Sequence, residues 1–186
     1  MLDGKRIAIL AEDGFRDSEL FEPIRAMKEA GARVVIVGTD SMEYYQSRSG
    51  KRIITAEMTA EKAMTENFEA IVIPSLNSLG EMQFHSSVID LVKKMYYMGK
   101  IIAAICYGSQ LLLAADIVRG HRLTSPLSIA IELNNAGAEW VDEPVVQYGN
   151  IITSGKIANL PVFDWTVIEA VRAINSSEKS MSSSAI

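Results

Sequence analysis

The sequence predicts an α/β domain with a mainly parallel sheet. Two observations carry that prediction. Short, wholly apolar runs alternate along the chain with longer stretches of helical periodicity, the rhythm of strand–helix–strand units. The apolar runs also lack a polar face, as expected of parallel strands covered by helices on both sides. At 186 residues, 48% of them hydrophobic, the chain has the size of one domain and can bury roughly 70% of its unfolded surface. Residues 1–175 are expected to form that domain and residues 176–186 a Ser-rich tail.

The elements follow in order. Residues 7–11 are a first buried strand, closed by a turn at Asp13-Gly14. Residues 17–30 are helical, because Leu20, Ile24 and Met27 fall on one face. Pro23 is expected to kink this helix or to start its main segment, and Gly31 to end it. Residues 34–37 form the second strand. The polar stretch 39–57 reads as an excursion from the sheet with a small hairpin ending at Arg52-Ile53-Ile54. Residues 70–73 form the next core strand, cut off by Pro74. A helix over 87–98 follows, with Val88, Leu91, Val92 and Met95 on one face. Residues 101–105 are another buried strand, running directly into Cys106-Tyr107-Gly108 and a helix over 109–118. Beyond Gly120 the pattern loosens: a short strand at 123–124, a helix over 128–135, a hairpin turning at Gly149-Asn150, and a last helix over 160–174. The tail has no periodic pattern and is expected to be disordered on its own.

Composition excludes several classes of function. The net charge is −5 with no basic stripe, so nucleic acid is not an expected partner. No apolar run approaches the roughly 20 residues of a membrane span, and the five apolar residues 7–11 are too few for a signal-peptide core. One cysteine and two histidines rule out an intrachain disulfide and argue against a structural zinc cluster. Gly149 to Gly155-Lys156 fails as a phosphate loop, having the wrong spacing and Ile157 where Ser or Thr is needed. The expectation is therefore a cytoplasmic protein with no cofactor, no metal and no membrane attachment.

The strongest chemical signal is Ala104-Ile105-Cys106-Tyr107-Gly108. A nucleophile at a sharp strand-to-helix turn is pushed out of the sheet, and the turn needs small residues two before and two after it. The following helix aims its unpaired N–H groups at the sulfur, which favours a thiolate and predicts a lowered thiol pKa. A histidine base is missing from the neighbourhood: His85 precedes a helix and His121 sits in a surface turn. Tyr107, with a phenol pKa of about 10, is a poor base, although its hydroxyl can donate a hydrogen bond. Glu12, Asp13, Asp17 and Glu19 cluster between the first strand and first helix. Read alone, they complement the helix dipole.

Four stretches together resemble a known family. They are Glu12-Asp13-Gly14-Phe15-Arg16-Asp17-Ser18-Glu19-Leu20, Lys28-Glu29-Ala30-Gly31, residues 104–112 around Cys106, and Asn135-Ala136-Gly137-Ala138-Glu139-Trp140-Val141-Asp142. In this order they resemble the ThiJ/PfpI group of the class I glutamine-amidotransferase-like superfamily, over about residues 5–172. Its members include PfpI-type intracellular proteases and a parkinsonism-associated protein deglycase. The resemblance implies a flavodoxin-like three-layer α/β/α sandwich, assembled as a homodimer or larger homo-oligomer. It implies Cys106 as nucleophile, with Glu19 as the carboxylic acid beside the sulfur. It also implies oxyanion donors at the backbone of Ser75, Leu76 and Tyr107. The chain departs from the pattern in four places. Tyr107 stands where PfpI-type members have His, Ser109 where many have Pro, Pro74-Ser75-Leu76 where they have Pro-Gly-Gly, and Arg16 where an acid is common.

These features point to a cysteine-dependent hydrolase or lyase acting on a small electrophile, such as an oxo-aldehyde or its adduct. Cys106, Glu19 and Tyr107 are its expected catalytic residues, and peptide hydrolysis is a minor branch. The alternative is a redox- or stress-responsive protein with an oxidisable Cys106 and little turnover. A third reading, a non-catalytic binding module, would be favoured by an occluded Cys106.

Overall fold

The computed structural model describes residues 1–39, 44–75 and 82–183, the last nine of these as backbone. The elements in chain order are β1 (Arg6–Leu10), α1 (Asp17–Glu29), β2 (Arg33–Gly38), β3 (Tyr44–Gln46), β4 (Ile53–Thr55), β5 (Met58–Thr59), α2 (Ala60–Ala63) and β6 (Ala70–Ile73). Then come α3 (Ser86–Tyr97), β7 (Ile101–Ile105), α4 (Ser109–Ala114), β8 (Arg122–Leu123), α5 (Ala130–Asn135), β9 (Glu139–Trp140), β10 (Val145–Tyr148), β11 (Ile151–Ser154) and α6 (Leu160–Ser183). One seven-stranded sheet runs in the order β10-β11-β7-β6-β1-β2-β5. All its pairings are parallel except β10 with β11, the expected hairpin, where Tyr148 faces Ile151.

The apolar runs have no polar face because both faces of the sheet are covered. Ala8, Leu10, Ile71, Ile73, Ile102 and Ala104 pack with α2, α3 and α4. Ile7, Ile9, Ala70, Val72, Ile101 and Ala103 pack with α1 and α6. Successive residues of one strand thus serve opposite cores, as a pleat with period two requires. The result is the flavodoxin-like sandwich.

Three expectations are corrected. α1 runs unbroken through Pro23, because Leu20, Pro23, Ile24 and Met27 form one continuous buried stripe. The proline still deprives the Glu19 carbonyl of its intrahelical donor. The two-residue β5, the four-residue α2 and the two-residue β9 are too short for periodicity to reveal, while the short strand expected at 123–124 is present one residue earlier as β8, parallel to β9. The last helix continues past Ile174 to Ser183, since a helix anchored by Phe163, Val167 and Val171 propagates at small cost per residue. The small hairpin is present as β3–β4, while residues 40–43 lie outside the described residues.

Asp164 on α6 is only 6% exposed, and its Oδ1 has no hydrogen-bond partner among the described residues. Burial first, then the charge of Glu22, pushes its carboxyl up from 3.8 to about 7, against the pull of Arg25. The unfolded chain releases this proton near its ordinary pKa while the folded chain holds it. Stability therefore falls as pH rises through that window and levels off above it. Asp164→Asn is expected to raise the melting temperature more at pH 8 than at pH 4, which thermal unfolding at the two pH values would read directly. An equal gain at both would rule out the buried carboxyl as its source.

Candidate active site

Three parallel strands end together at Cys106. β7 lies between β6 and β11, with Ala104 beside Ile73 and Ile105 beside Ser154. Their carboxyl ends deliver Cys106, Pro74-Ser75 and Gly155 to one edge of the sheet. The sheet order reverses direction between β1 and β6, and a crevice at such a switch point is where open α/β sheets bind ligands. The segment leaving β1 carries Glu19 to that crevice.

Cys106 has φ of 49°, the left-handed region, which costs an L residue roughly 1–2 kcal/mol. Strain of this kind collects at functional positions. The chain then makes a single 3-10 turn over Cys106–Gly108 before α4 begins. Gly108 permits the turn, since a Cβ there would lie 2.5 Å from the Ile73 carbonyl oxygen and 2.7 Å from that of Pro74. The Cys106 thiol donates to the Gly155 carbonyl at 3.5 Å. The residue is 6% exposed, so its sulfur is recessed. That burial is the one observation on the side of the binding-module reading.

Glu19 is fully buried. Its Oε2 accepts a hydrogen bond from the Ser75 N–H at 3.0 Å, and its Oε1 lies 3.6 Å from the Arg16 guanidinium. Among the described residues Oε1 makes no well-formed hydrogen bond, nor do the buried Ser75 and Ser109 hydroxyls. The Ser75 hydroxyl and the Cys106 thiol are nonetheless close enough to influence the carboxyl. Burial raises the Glu19 pKa, while Arg16, Ser75 and Cys106 oppose the rise.

Burial, followed by the negative charge of Glu19, pushes the Cys106 thiol up to about 12, with Arg16 pulling it down. The expected acidified thiol is therefore not seen while Glu19 is ionised. The sulfur is desolvated, a carbonyl accepts its proton, and α4 spans only six residues, giving a weak dipole. Glu19 and Cys106 titrate as a unit. Each holds its proton more tightly when the other is charged, and the last proton of the pair leaves only far above neutral pH.

The structure brings together Cys106, Glu19 and Ser75. The Ser75 N–H, an expected oxyanion donor, is engaged by Glu19. The Tyr107 hydroxyl points away to Ser128, with an O···O distance of 2.9 Å, while the Tyr107 backbone lies in the first positions of the 3-10 turn, where N–H groups lack helical partners. Leu76 lies outside the described residues. His121 contacts the Tyr96 hydroxyl and the Arg119 carbonyl, each at 3.2 Å. No histidine is hydrogen-bonded to Cys106 or Glu19 among the described residues. Of the other acids, Glu12 accepts from the Met82 N–H at 3.2 Å and Asp13 from the Gln46 N–H at 2.8 Å. Asp17 accepts from the Ser49 hydroxyl at 2.9 Å. Sequence reasoning missed Gly155. Its signal was the Gly directly after a hydrophobic strand, visible in Ile151-Ile152-Thr153-Ser154-Gly155 but tested only as part of a phosphate loop.

The sequence profile of the DJ-1/PfpI family matches residues 5–170. The chain belongs to the DJ-1/PfpI family. Protein/nucleic acid deglycase 2 of Escherichia coli is 31% identical over 161 residues, 86% of this chain and 94% of that protein. A two-domain protein of Anabaena variabilis, with DJ-1/ThiJ/PfpI-like and ferritin-like domains, superposes with a TM-score of 0.82 and 32% identity. That match covers 89% of this chain but only 47% of the larger one. DJ-1β of Drosophila melanogaster shares the fold, with a TM-score of 0.80 and 24% identity over 93% of this chain and 96% of its own. DJ-1/PfpI relatives thus include proteins named as deglycases. No helix among the described residues is long and apolar enough to cross a membrane.

Proposed function

We propose that the chain is a cysteine-dependent enzyme acting on a small carbonyl electrophile, an oxo-aldehyde or its adduct. The observation that carries this reading is the pairing of Cys106, on a left-handed elbow, with the fully buried Glu19. In the first step the sulfur adds to the carbonyl carbon. The S–C bond forms, the C=O π bond opens onto oxygen, and Glu19 relays the thiol proton to that oxygen. The product is a thiohemiacetal. The backbone N–H groups of Tyr107 and Leu76 are the proposed donors to the growing negative charge. The Ser75 N–H acts through Glu19, whose carboxyl it orients. This path needs no histidine, whereas peptide cleavage would require a protonated amine leaving group. That supports the ranking of peptide hydrolysis as a minor branch. The recessed sulfur fits a small substrate. The catalytic unit is proposed to be a homodimer or larger homo-oligomer.

Incubation with methylglyoxal tests the reading. Consumption of the aldehyde by the wild-type protein is expected, and its absence across a panel of oxo-aldehydes and their adducts would overturn the proposal. Iodoacetamide tests access: native protein is expected to be alkylated at Cys106, and a thiol that reacts only after denaturation would favour the binding-module reading.

Glu19→Gln separates proton relay from thiol reactivity. Removing the carboxylate removes a negative charge that raises the thiol pKa. The upper limb of the alkylation-versus-pH profile is expected to move to lower pH. Turnover should fall by roughly a hundredfold or more, the scale of lost general acid–base catalysis. A profile that moves to higher pH would instead mean that Glu19 acts as a protonated donor to the thiolate.

A second reading, an oxidisable Cys106 with little turnover, is supported by the same buried carboxyl, which can hydrogen-bond a sulfinate. With one cysteine in the chain, oxidation cannot be diverted to an intrachain disulfide. Mass spectrometry after mild peroxide treatment reads it: two added oxygens on Cys106 would support it, and an unmodified Cys106 would exclude it.

A further inference from the structure

We propose that Arg16 makes this site selective for electrophiles that carry a negative charge close to the reacting carbon, a carboxylate above all, over uncharged aldehydes. The inference rests on reading Cys106 as the nucleophile and names the substrate class of that site.

Arg16 is the last residue before α1, so helix geometry places it one turn from Glu19 on the same face. Its side chain is 43% exposed, while Glu19, beneath it, is fully buried. The guanidinium is thus a charged group on the path from solvent to the pair. Glu19 is its only acid within ion-pair distance among the described residues, at 3.6 Å and without a hydrogen bond. The other acids of the segment are turned elsewhere: Glu12 to the Met82 N–H, Asp13 to the hairpin backbone and Asp17 to Ser49. A guanidinium has five donors in a planar fork suited to a carboxylate, and here most are uncommitted among the described residues.

The floor of the site is polar in the same sense. Glu19 Oε1, Ser75 Oγ and Ser109 Oγ are buried without a partner among the described residues. Each residue is at least nine-tenths buried, at 0%, 5% and 0% exposure. Unpaired buried polar atoms are costly, so these three, on Glu19, on Ser75 after β6 and on Ser109 directly after the Cys106 turn, mark a place that a polar ligand completes. Two of them are hydroxyls that can donate to an anion. A carboxylate held by Arg16 would place the adjacent carbonyl carbon over Cys106. An uncharged aldehyde forgoes that anchor.

A pair of alkylating agents tests this without relying on turnover. Iodoacetate and iodoacetamide both form an S–C bond to Cys106 as iodide leaves and the thiol proton passes to solvent. They differ by one charge. The ratio of their rates cancels any effect of Arg16 on the thiol itself. In Arg16→Gln the iodoacetate-to-iodoacetamide ratio is expected to fall about fivefold, the scale of one partly exposed charge pair. In Arg16→Glu it should fall further, and Arg16→Lys should keep most of it. Salt at 1 M should narrow the differences. A ratio that stays within twofold across the three variants overturns the proposal. Unchanged ratios with intact methylglyoxal turnover would remove the charge selection and leave the proposed function standing. The predicted ratio shift without aldehyde turnover would do the reverse.

Discussion

Replacing Cys106 with Ala is expected to abolish methylglyoxal turnover, by at least about a thousandfold, while the protein stays folded. On the proposed reading the sulfur forms the covalent bond, at the place where the carboxyl ends of β6, β7 and β11 converge. Glu19 can move a proton but cannot replace the nucleophile, because its Oε2 is held by the Ser75 N–H and burial raises its pKa. The structural cost is small. Ala keeps the Cβ and inherits the same left-handed strain, so the loss is one buried sulfur with its 3.5 Å contact to Gly155, about 1 kcal/mol. In a chain of this length that is a few degrees of melting temperature. Aldehyde consumption and thermal unfolding of the same preparation separate the two effects. A folded Cys106→Ala protein retaining a tenth of the wild-type rate would end the nucleophile assignment.

Gly108→Ala should produce the largest loss of stability. Its φ is −56°, so backbone strain is not the issue, and Ala even improves helix propensity by about 1 kcal/mol. The obstacle is space. The new methyl would meet two backbone oxygens, of Ile73 and Pro74, at 2.5 and 2.7 Å. Ile73 ends β6, where it pairs with Ala104 of β7, and Pro74 follows it directly, so neither oxygen can swing away like a side chain. Overpacking of this kind costs typically 1–3 kcal/mol and occasionally more. The rigid neighbours argue for about 3 kcal/mol net, or roughly 10 °C. Gly99→Ala is the control: its φ is +71° with nothing within 4 Å of the added Cβ, so only about 1–2 kcal/mol of left-handed strain is at stake. If the two variants melt together, close packing does not hold the elbow. A Gly108→Ala protein that still folds should also lose turnover, because the displaced turn carries Cys106.

The sheet was legible because its signal is local. Unbroken apolar runs such as Ile7-Ala8-Ile9-Leu10 and Ile101-Ile102-Ala103-Ala104-Ile105 make sense only with cores on both sides, and the pleat divides them so. The elements that escaped, β5, α2 and β9, are too short for any period to repeat. Pro23 misled for a different reason: a buried stripe shared with α6 outweighs the loss of one helical hydrogen bond.

The sequence by itself determined the alternation of elements, the turn at which Cys106 sits and the small residues that turn requires, since each depends on neighbours within a few positions. It also determined the scarcity of histidine, which turned the search for a proton carrier toward carboxylates. The family resemblance implied Glu19 beside the sulfur, but only the tertiary structure decided the contacts there, the Gly155 carbonyl on the thiol and the Ser75 N–H on Glu19. Glu19 reaches the sulfur from the first turn of α1, and Ser75 and Gly155 from beyond the ends of β6 and β11, and no spacing along the chain encodes that meeting. Tertiary packing also set the charge state: burial, with Glu19 beside the sulfur, outweighs the short helix dipole that local reasoning weighed alone. Desolvation depends on how much of the folded chain stands between an atom and water, a property of the packed fold and of no single segment.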